Sequence, residues 1–292
     1  MPDPFPRGRF VWHELMTTDP EAAVGFYGKV VGWGVRPFEG VPDYRVWTMG
    51  KAMMGGLMTL PEDARRMGAP PNWLMYVAVP DVDAVVRQAM ERGARVFVQP
   101  RDIPNVGRFA VLADPQGASF AAYRPHGEAM GSDEAGRGDF SWHELATIDW
   151  RAAWEFYHAL FGWEKTEVMD MGPAGSYQMF RRSGGSRTLG GLYTKPPELP
   201  APPHWLCYVS VPSADKAAQA VTKLGGKVVT GPMQVPGGDR IAMCLDPQGA
   251  AFAVHSTVAR PAAKPKRPAK KTKAVKQRPK AAKPKSKRRR GR

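Results

Sequence analysis

The tetrapeptide Trp-His-Glu-Leu occurs twice, at residues 12–15 and 142–145, and sets Glu14 and Glu144 two residues beyond Trp12 and Trp142. Along a strand alternate side chains share a face, so Trp12, Glu14 and Met16 point one way and His13 and Leu15 the other. A carboxylate beside a tryptophan on a cavity-facing strand is costly to bury without a partner. Burial also raises its pKa toward neutrality, where it serves best as a general base. Glu14 and Glu144 are therefore the candidate catalytic residues, with a structural ion pair to Arg108 as the competing role. His13 and His143 look like half of a metal-ligand set with the adjacent glutamates. Neighbouring strand residues face opposite ways, however, and the two histidines read as packed side chains.

The same alternation collects the binding candidates. Asn72, Leu74, Tyr76 and Ala78 share the face of Trp12, as do Ala121 and Tyr123. Their counterparts are His204, Leu206, Tyr208 and Ser210, then Ala253 and His255. Trp12, Tyr76, Trp142 and Tyr208 are read as aromatic walls, since a free phenol has a pKa of about 10 and is a poor acid. Arg108 and Arg240 stand at equivalent points before Asp114 and Asp246 and are assigned to the pocket to orient polar groups. His204 and His255 occur in one copy only and are added as binding residues at the pocket. Cys207 and Cys244 read as small buried hydrophobes, since two cysteines build no disulfide framework.

The elements that position these residues also come in duplicate. Phe26-Tyr27 returns as Phe156-Tyr157, Gly32-Trp33 as Gly162-Trp163, and Gly55-Gly56-Leu57 as Gly190-Gly191-Leu192. Asp114-Pro115-Gln116-Gly117 returns as Asp246-Pro247-Gln248-Gly249. Residues 8–126 and 139–257 thus form two copies of one module, joined by a Gly-rich linker at 127–138. In the first copy a strand over 10–16 precedes a helix capped by Asp19, with Pro20 and Glu21 in its first turn. Strands are expected near 33–38, 43–49, 52–60 and 72–79. A second helix runs from the Asp81 cap to Gly93, and strands follow near 94–99, 106–112 and 118–123. Ser213 and Gly225 cap and stop the matching helix of the second copy. Each module is βαβββ twice over, an α+β fold.

This arrangement resembles the vicinal oxygen chelate superfamily, the glyoxalase, bleomycin-resistance and dioxygenase type. The resemblance rests on the region Asp19, Phe26-Tyr27, Gly32-Trp33, on Gly55-Gly56, on Val79-Pro80-Asp81-Val82-Asp83, and on the Asp114-Pro115-Gln116-Gly117 turn, each with a counterpart in the second copy. It covers nearly all of residues 8–257. It implies that each pair of βαβββ units forms a curved mixed sheet around a concave pocket, and that two modules pair, here within one chain as a monomer. Many members bind a divalent metal through His, Gln or Glu on three strands. The matching positions are Trp12, Leu74 and Ala121, then Trp142, Leu206 and Ala253, none of which offers a lone pair to a metal. No metal and no other cofactor is expected.

The formal charge of +15 is unevenly spread. Residues 260–292 hold 17 Lys or Arg and no acid, which leaves 42 − 17 = 25 basic against 27 acidic residues elsewhere. The Lys-, Pro- and Ala-rich segment 258–292 reads as a disordered basic tail that attracts phosphate backbones without reading sequence. No secretory leader or apolar membrane span is visible, so a cytoplasmic location is expected. Three functional classes stand open. The leading one is metal-independent binding of a small organic molecule in the concave pockets, either with a glyoxalase-type isomerase or lyase step or as sequestration alone. A metal-dependent lyase, isomerase or dioxygenase with non-standard ligands is the second. A nucleic-acid-associated accessory protein acting through its tail is the third.

Overall fold

The computed structural model describes residues 6–39, 41–127 and 135–257. Strand β1 (Phe10–Thr17) leads into α1 (Pro20–Val30). Asp19 caps α1 by accepting the Ala22 N–H at 3.0 Å, and Pro20 fills a first-turn position that needs no donor. Ala23, Phe26, Tyr27 and Val30 make the buried stripe of the helix. Strands β2 (Gly34–Pro37), β3 (Arg45–Met49) and β4 (Ala52–Thr59) complete the first βαβββ unit. A short helix α2 (Glu62–Arg66), absent from the sequence reading, leads to β5 (Asn72–Ala78), α3 (Val82–Glu91), β6 (Arg95–Ile103), β7 (Gly107–Ala113) and β8 (Ser119–Pro125).

The second copy repeats the order. It comprises β9 (Phe140–Thr147), α4 (Trp150–Phe161), β10 (Glu164–Asp170), β11 (Ser176–Arg181), β12 (Thr188–Thr194), β13 (His204–Ser210), α5 (Ala214–Lys223), β14 (Lys227–Gln234), β15 (Arg240–Leu245) and β16 (Ala251–Ser256). A single 3-10 turn, Gly172–Ala174, is extra. Ser213 caps α5 through the Lys216 N–H, and Gly225 follows its end at a φ of +86°, both as expected.

Each copy builds one eight-stranded mixed sheet, ordered β2-β3-β4-β1-β5-β8-β7-β6 and β10-β11-β12-β9-β13-β16-β15-β14. In the first, β1 lies antiparallel to β5 and parallel to β4, so the two βαβββ units meet at the strand that carries Glu14. The second sheet repeats this around β9 and Glu144.

The two modules form one compact unit with a shared core drawn from both. Much of the duplicated sequence turns out to be docking chemistry. Trp73 Nε1 donates to Tyr27 Oη at 2.9 Å, and Tyr27 Oη donates to Asp246 Oδ2 of the other copy at 3.1 Å. In mirror image, Trp205 donates to Tyr157 and Tyr157 to Asp114, both at 3.0 Å. Each turn aspartate uses its other oxygen to tie its own turn. Trp33 and Trp163 donate across to the carbonyls of Gly138 and Gly8. Of the linker, residues 128–134 lie outside the described residues, as does the whole tail, 258–292. No helix among the described residues is long and apolar enough to cross a membrane.

Candidate functional site

The face opposite the helices carries a polar centre in each sheet. Trp12 pairs with Tyr76 across β1 and β5, Glu14 with Leu74, and Tyr76 with Ala121 across β5 and β8. These positions share one face, as the alternation predicts. Tyr76 Oη donates to Glu14 Oε1 at 3.0 Å. On the other side Trp12 Nε1 donates to Tyr44 Oη at 2.9 Å, and Tyr44 in turn serves Glu14. In the second sheet Trp142 Nε1 donates to Tyr177 Oη at 2.7 Å, and Tyr177 Oη donates to Glu144 Oε2 at 3.0 Å. Both glutamates are 7% exposed.

The Gly-Gly pairs explain how the tyrosines reach the carboxylates. A Cβ on Gly56 would overlap the Tyr44 hydroxyl, and one on Gly191 would overlap the Tyr177 ring. A Cβ on Gly55 or Gly190 would strike the carbonyl of His13 or His143 on the neighbouring strand. Glycine is thus required for close approach at both positions.

The electrostatics follow from this burial without a tightly held cation. Burial raises the pKa of Glu14, and hydrogen bonds from Tyr44 and Tyr76 and the charge of Arg101 offset part of the rise. Burial pushes Glu144 up to about 7, with Tyr177 and Tyr208 pulling the other way. Burial and the adjacent carboxylate together hold Tyr44, Tyr76, Tyr177 and Tyr208 well above the ordinary phenol value. The Tyr208 hydroxyl is buried beside Glu144 and helps to stabilise its charge, though it meets no partner in good hydrogen-bond geometry among the described residues.

The arginines stand elsewhere. Arg108 sits on the other face of β7, bidentate on Asp83 at the start of α3 (2.7 and 2.9 Å) and also bonded to Asp102 at 3.1 Å. Arg240 makes the same fork on Asp215 at 2.6 Å. They latch helix to sheet, because the residue next to pocket-facing Phe109 or Ile241 must point away from the pocket. The expected placement in the pocket is corrected accordingly, and so is the idea of an Arg108–Glu14 ion pair. His204 donates Nδ1–H to the Pro202 carbonyl at 2.8 Å, at the start of β13 and opposite Ala146. His255 bridges Ser141 Oγ at 3.0 Å and Asp239 Oδ2 at 3.1 Å.

His13 and His143 meet each other on the module axis, Nε2 to Nε2, at 2.8 Å. Phe140 stacks on His13 and Phe10 on His143, with ring centroids 3.6 and 3.7 Å apart. His143 Nδ1 lies 3.0 Å from the Leu189 carbonyl, a pure acceptor, and must carry the proton there. Its Nε2 therefore accepts from His13. Burial depresses both pKa values, that of His143 to about 3.

Sequence reasoning did not include Tyr44, Tyr177, Tyr193 or Arg101. A signal existed for the first two, which stand in matching places before the duplicated Gly-Gly strands. The three ligand positions that the resemblance implies for a metal are central on each face and hold Trp, Leu and Ala. Among the described residues no three His, Cys, Asp or Glu side chains are grouped to hold an ion. One carboxylate among phenols does not fit a divalent metal, and no chemistry here is routed through one.

Each eight-stranded sheet is thus built of two βαβββ units with a polar centre on the face away from the helices, and this duplicated architecture defines the class. The chain belongs to the glyoxalase/bleomycin resistance protein/dioxygenase superfamily: residues 140–254 match that family, and residues 12–123 match the glyoxalase-like domain. It is 32% identical over 246 residues to "Putative glyoxylase CFP32" of Mycobacterium tuberculosis, covering 83% of this chain and 92% of the relative. It is 30% identical over 268 residues to anthracycline biosynthesis protein DnrV of Streptomyces peucetius, covering 86% and 94%. A Mn(II)-bound glyoxalase from Novosphingobium aromaticivorans shares the fold at a TM-score of 0.60 and 16% identity, over 86% of this chain and 82% of that one.

Proposed function

We propose that each concave face binds a small organic molecule and that Glu144, with Glu14 as its counterpart, exchanges a proton with it. The observation that carries this reading is the buried carboxylate held by phenols alone and brought to a pKa of about 7. At neutral pH such a group is nearly half ionised, so it can take a proton from an acidic C–H or O–H and return it without a large penalty in either direction. Trp142, Tyr177 and Tyr208 would supply aromatic walls, and the Tyr208 hydroxyl beside Glu144 would donate to an oxygen of the ligand. A few placed polar groups in an apolar surround suit a small-molecule site. The relative named for anthracycline biosynthesis supports a hydroxylated aromatic ligand.

The test is a ligand screen on the full chain, read by thermal shift and mass spectrometry, repeated with Glu144→Gln. Hits are then incubated in deuterated water. The reading expects a hit whose acidic proton exchanges with wild type and at least a hundredfold more slowly with the variant, in line with general-base contributions of about 10²–10⁴. Exchange that is unchanged in the variant refutes the role of Glu144.

A further inference from the structure

The two concave faces are chemically unequal. In the first, Arg101 on β6 lies opposite Phe109 on β7 in the ladder, and its guanidinium rests over the Phe109 ring, 5.1 Å from the centroid. Phe109 packs at 6.1 Å against Tyr76, the residue that holds Glu14. Arg108, one position along, is locked on Asp83. Arg101, by contrast, has no hydrogen-bond or ion-pair partner among the described residues. A guanidinium supported on an aromatic ring keeps its charge and offers a planar donor fork that matches a carboxylate.

The register of the second sheet shows what replaces it. Met233 on β14 lies opposite Ile241 on β15, the pair equivalent to Arg101 and Phe109. That face therefore lacks the cation. It carries instead Tyr193, stacked 6.0 Å from Tyr177, and the buried Tyr208 hydroxyl beside Glu144.

We propose, resting on the reading of both faces as small-molecule sites, that Arg101 makes the first face an anion site. A ligand carboxylate would sit on the guanidinium, with its apolar body against Phe109 and Tyr76, whereas the second face takes an uncharged ligand. The surroundings of the two glutamates agree: a positive charge works against the raised pKa of Glu14, and only phenols do so at Glu144.

The probes are 2-naphthoate, charged at pH 7.5, and 2-naphthol, neutral at that pH, titrated by calorimetry into the full chain. Wild type should bind one naphthoate. Arg101→Met, which copies the second face, should weaken naphthoate at least tenfold, equivalent to about 1.4 kcal/mol, while naphthol changes less than twofold. Met233→Arg should create a second naphthoate site, an outcome that no loss of folding can imitate. Naphthoate affinity unchanged in Arg101→Met, two equal naphthoate sites in wild type, or naphthol binding without naphthoate binding each overturn the anion site and leave the small-molecule reading standing. Failure of both probes to bind overturns the two together.

Discussion

Replacing Glu144 with glutamine should stabilise the protein at alkaline pH while abolishing proton exchange. The carboxyl is raised from the ordinary 4.5 to about 7 by burial. A carboxyl that holds its proton more tightly when folded stabilises the native state fully below about pH 4.5. That contribution is lost as pH rises and is gone above about 7. The interval of about 2–3 pH units corresponds to about 3 kcal/mol. Glutamine keeps the shape and an acceptor for the Tyr177 hydroxyl but has no charge to bury. The variant and wild type should therefore be nearly equal at pH 4.5 and should separate by about 3 kcal/mol by pH 8. That is on the order of 10 °C in Tm for a body of this size. Urea titrations at pH 4.5, 6 and 8 measure it, and contributions from His13 and His143 cancel because both proteins contain them. A gap that does not widen with pH refutes the argument. Glutamine proving less stable at pH 8 would mean that a cation holds the carboxylate, and Glu144 would then be a structural ion, not a proton carrier.

Three further outcomes follow from other parts of the molecule. His13 and His143 are held neutral by burial, so the unfolded chain takes up their protons first as pH falls below about 6.5; stability should drop by about 1.4 kcal/mol per pH unit for each, and a His13→Phe/His143→Phe pair should flatten the acid limb of the urea-stability profile. Gly191→Ala should push Tyr177 off Glu144, costing about 1–3 kcal/mol by overpacking and weakening any ligand of the second face at least tenfold; calorimetry on the first face, which should be unchanged, is the control. We expect residues 260–292 to carry non-specific DNA binding with a log–log salt slope of several units, at about −0.9 per phosphate; binding that survives truncation at 257 would contradict a body with 25 basic against 27 acidic residues.

The duplication was legible because identical tetrapeptides and turns recur at a nearly constant offset, and period-2 alternation placed Trp12, Glu14 and Tyr76 on one face correctly. Those are local signals, carried by neighbouring residues on one strand. Arg108 and Arg240 escaped the same logic because their strands' register was unknown, and a shift of one residue turns a side chain to the other face. Tyr44 and Tyr177 escaped it because their approach depends on glycines on another strand. The pairing of His13 with His143 lies further still from sequence, since it joins residues 130 positions apart across two modules.

The distribution of differences between the copies has a physical logic. The buried polar docking contacts between the modules are made twice, by Tyr27 and Tyr157, Trp73 and Trp205, Asp246 and Asp114, while His13 and His143 meet each other. The two halves of such a contact pack against each other, so a change in one must be met by the other. The concave faces have no such tie, because each holds its Trp–Tyr–Glu chain within its own sheet. They differ at several positions: Arg101 against Met233, Met58 against Tyr193, Tyr123 against His255, and Gly107 against Asp239. The last pair shows the coupling within one face. A side chain at Gly107 would run into the Arg124 carbonyl and the ring of Tyr123, whereas Asp239 is accommodated beside His255 and bonds to it at 3.1 Å. Exchanging Gly107 and Tyr123 together for Asp and His removes the ring but not the contact with the Arg124 carbonyl, so the double variant should be less stable than wild type, and Gly107→Asp alone should lose more stability still. A double-mutant cycle with a coupling below about 0.5 kcal/mol would show that the two positions vary independently.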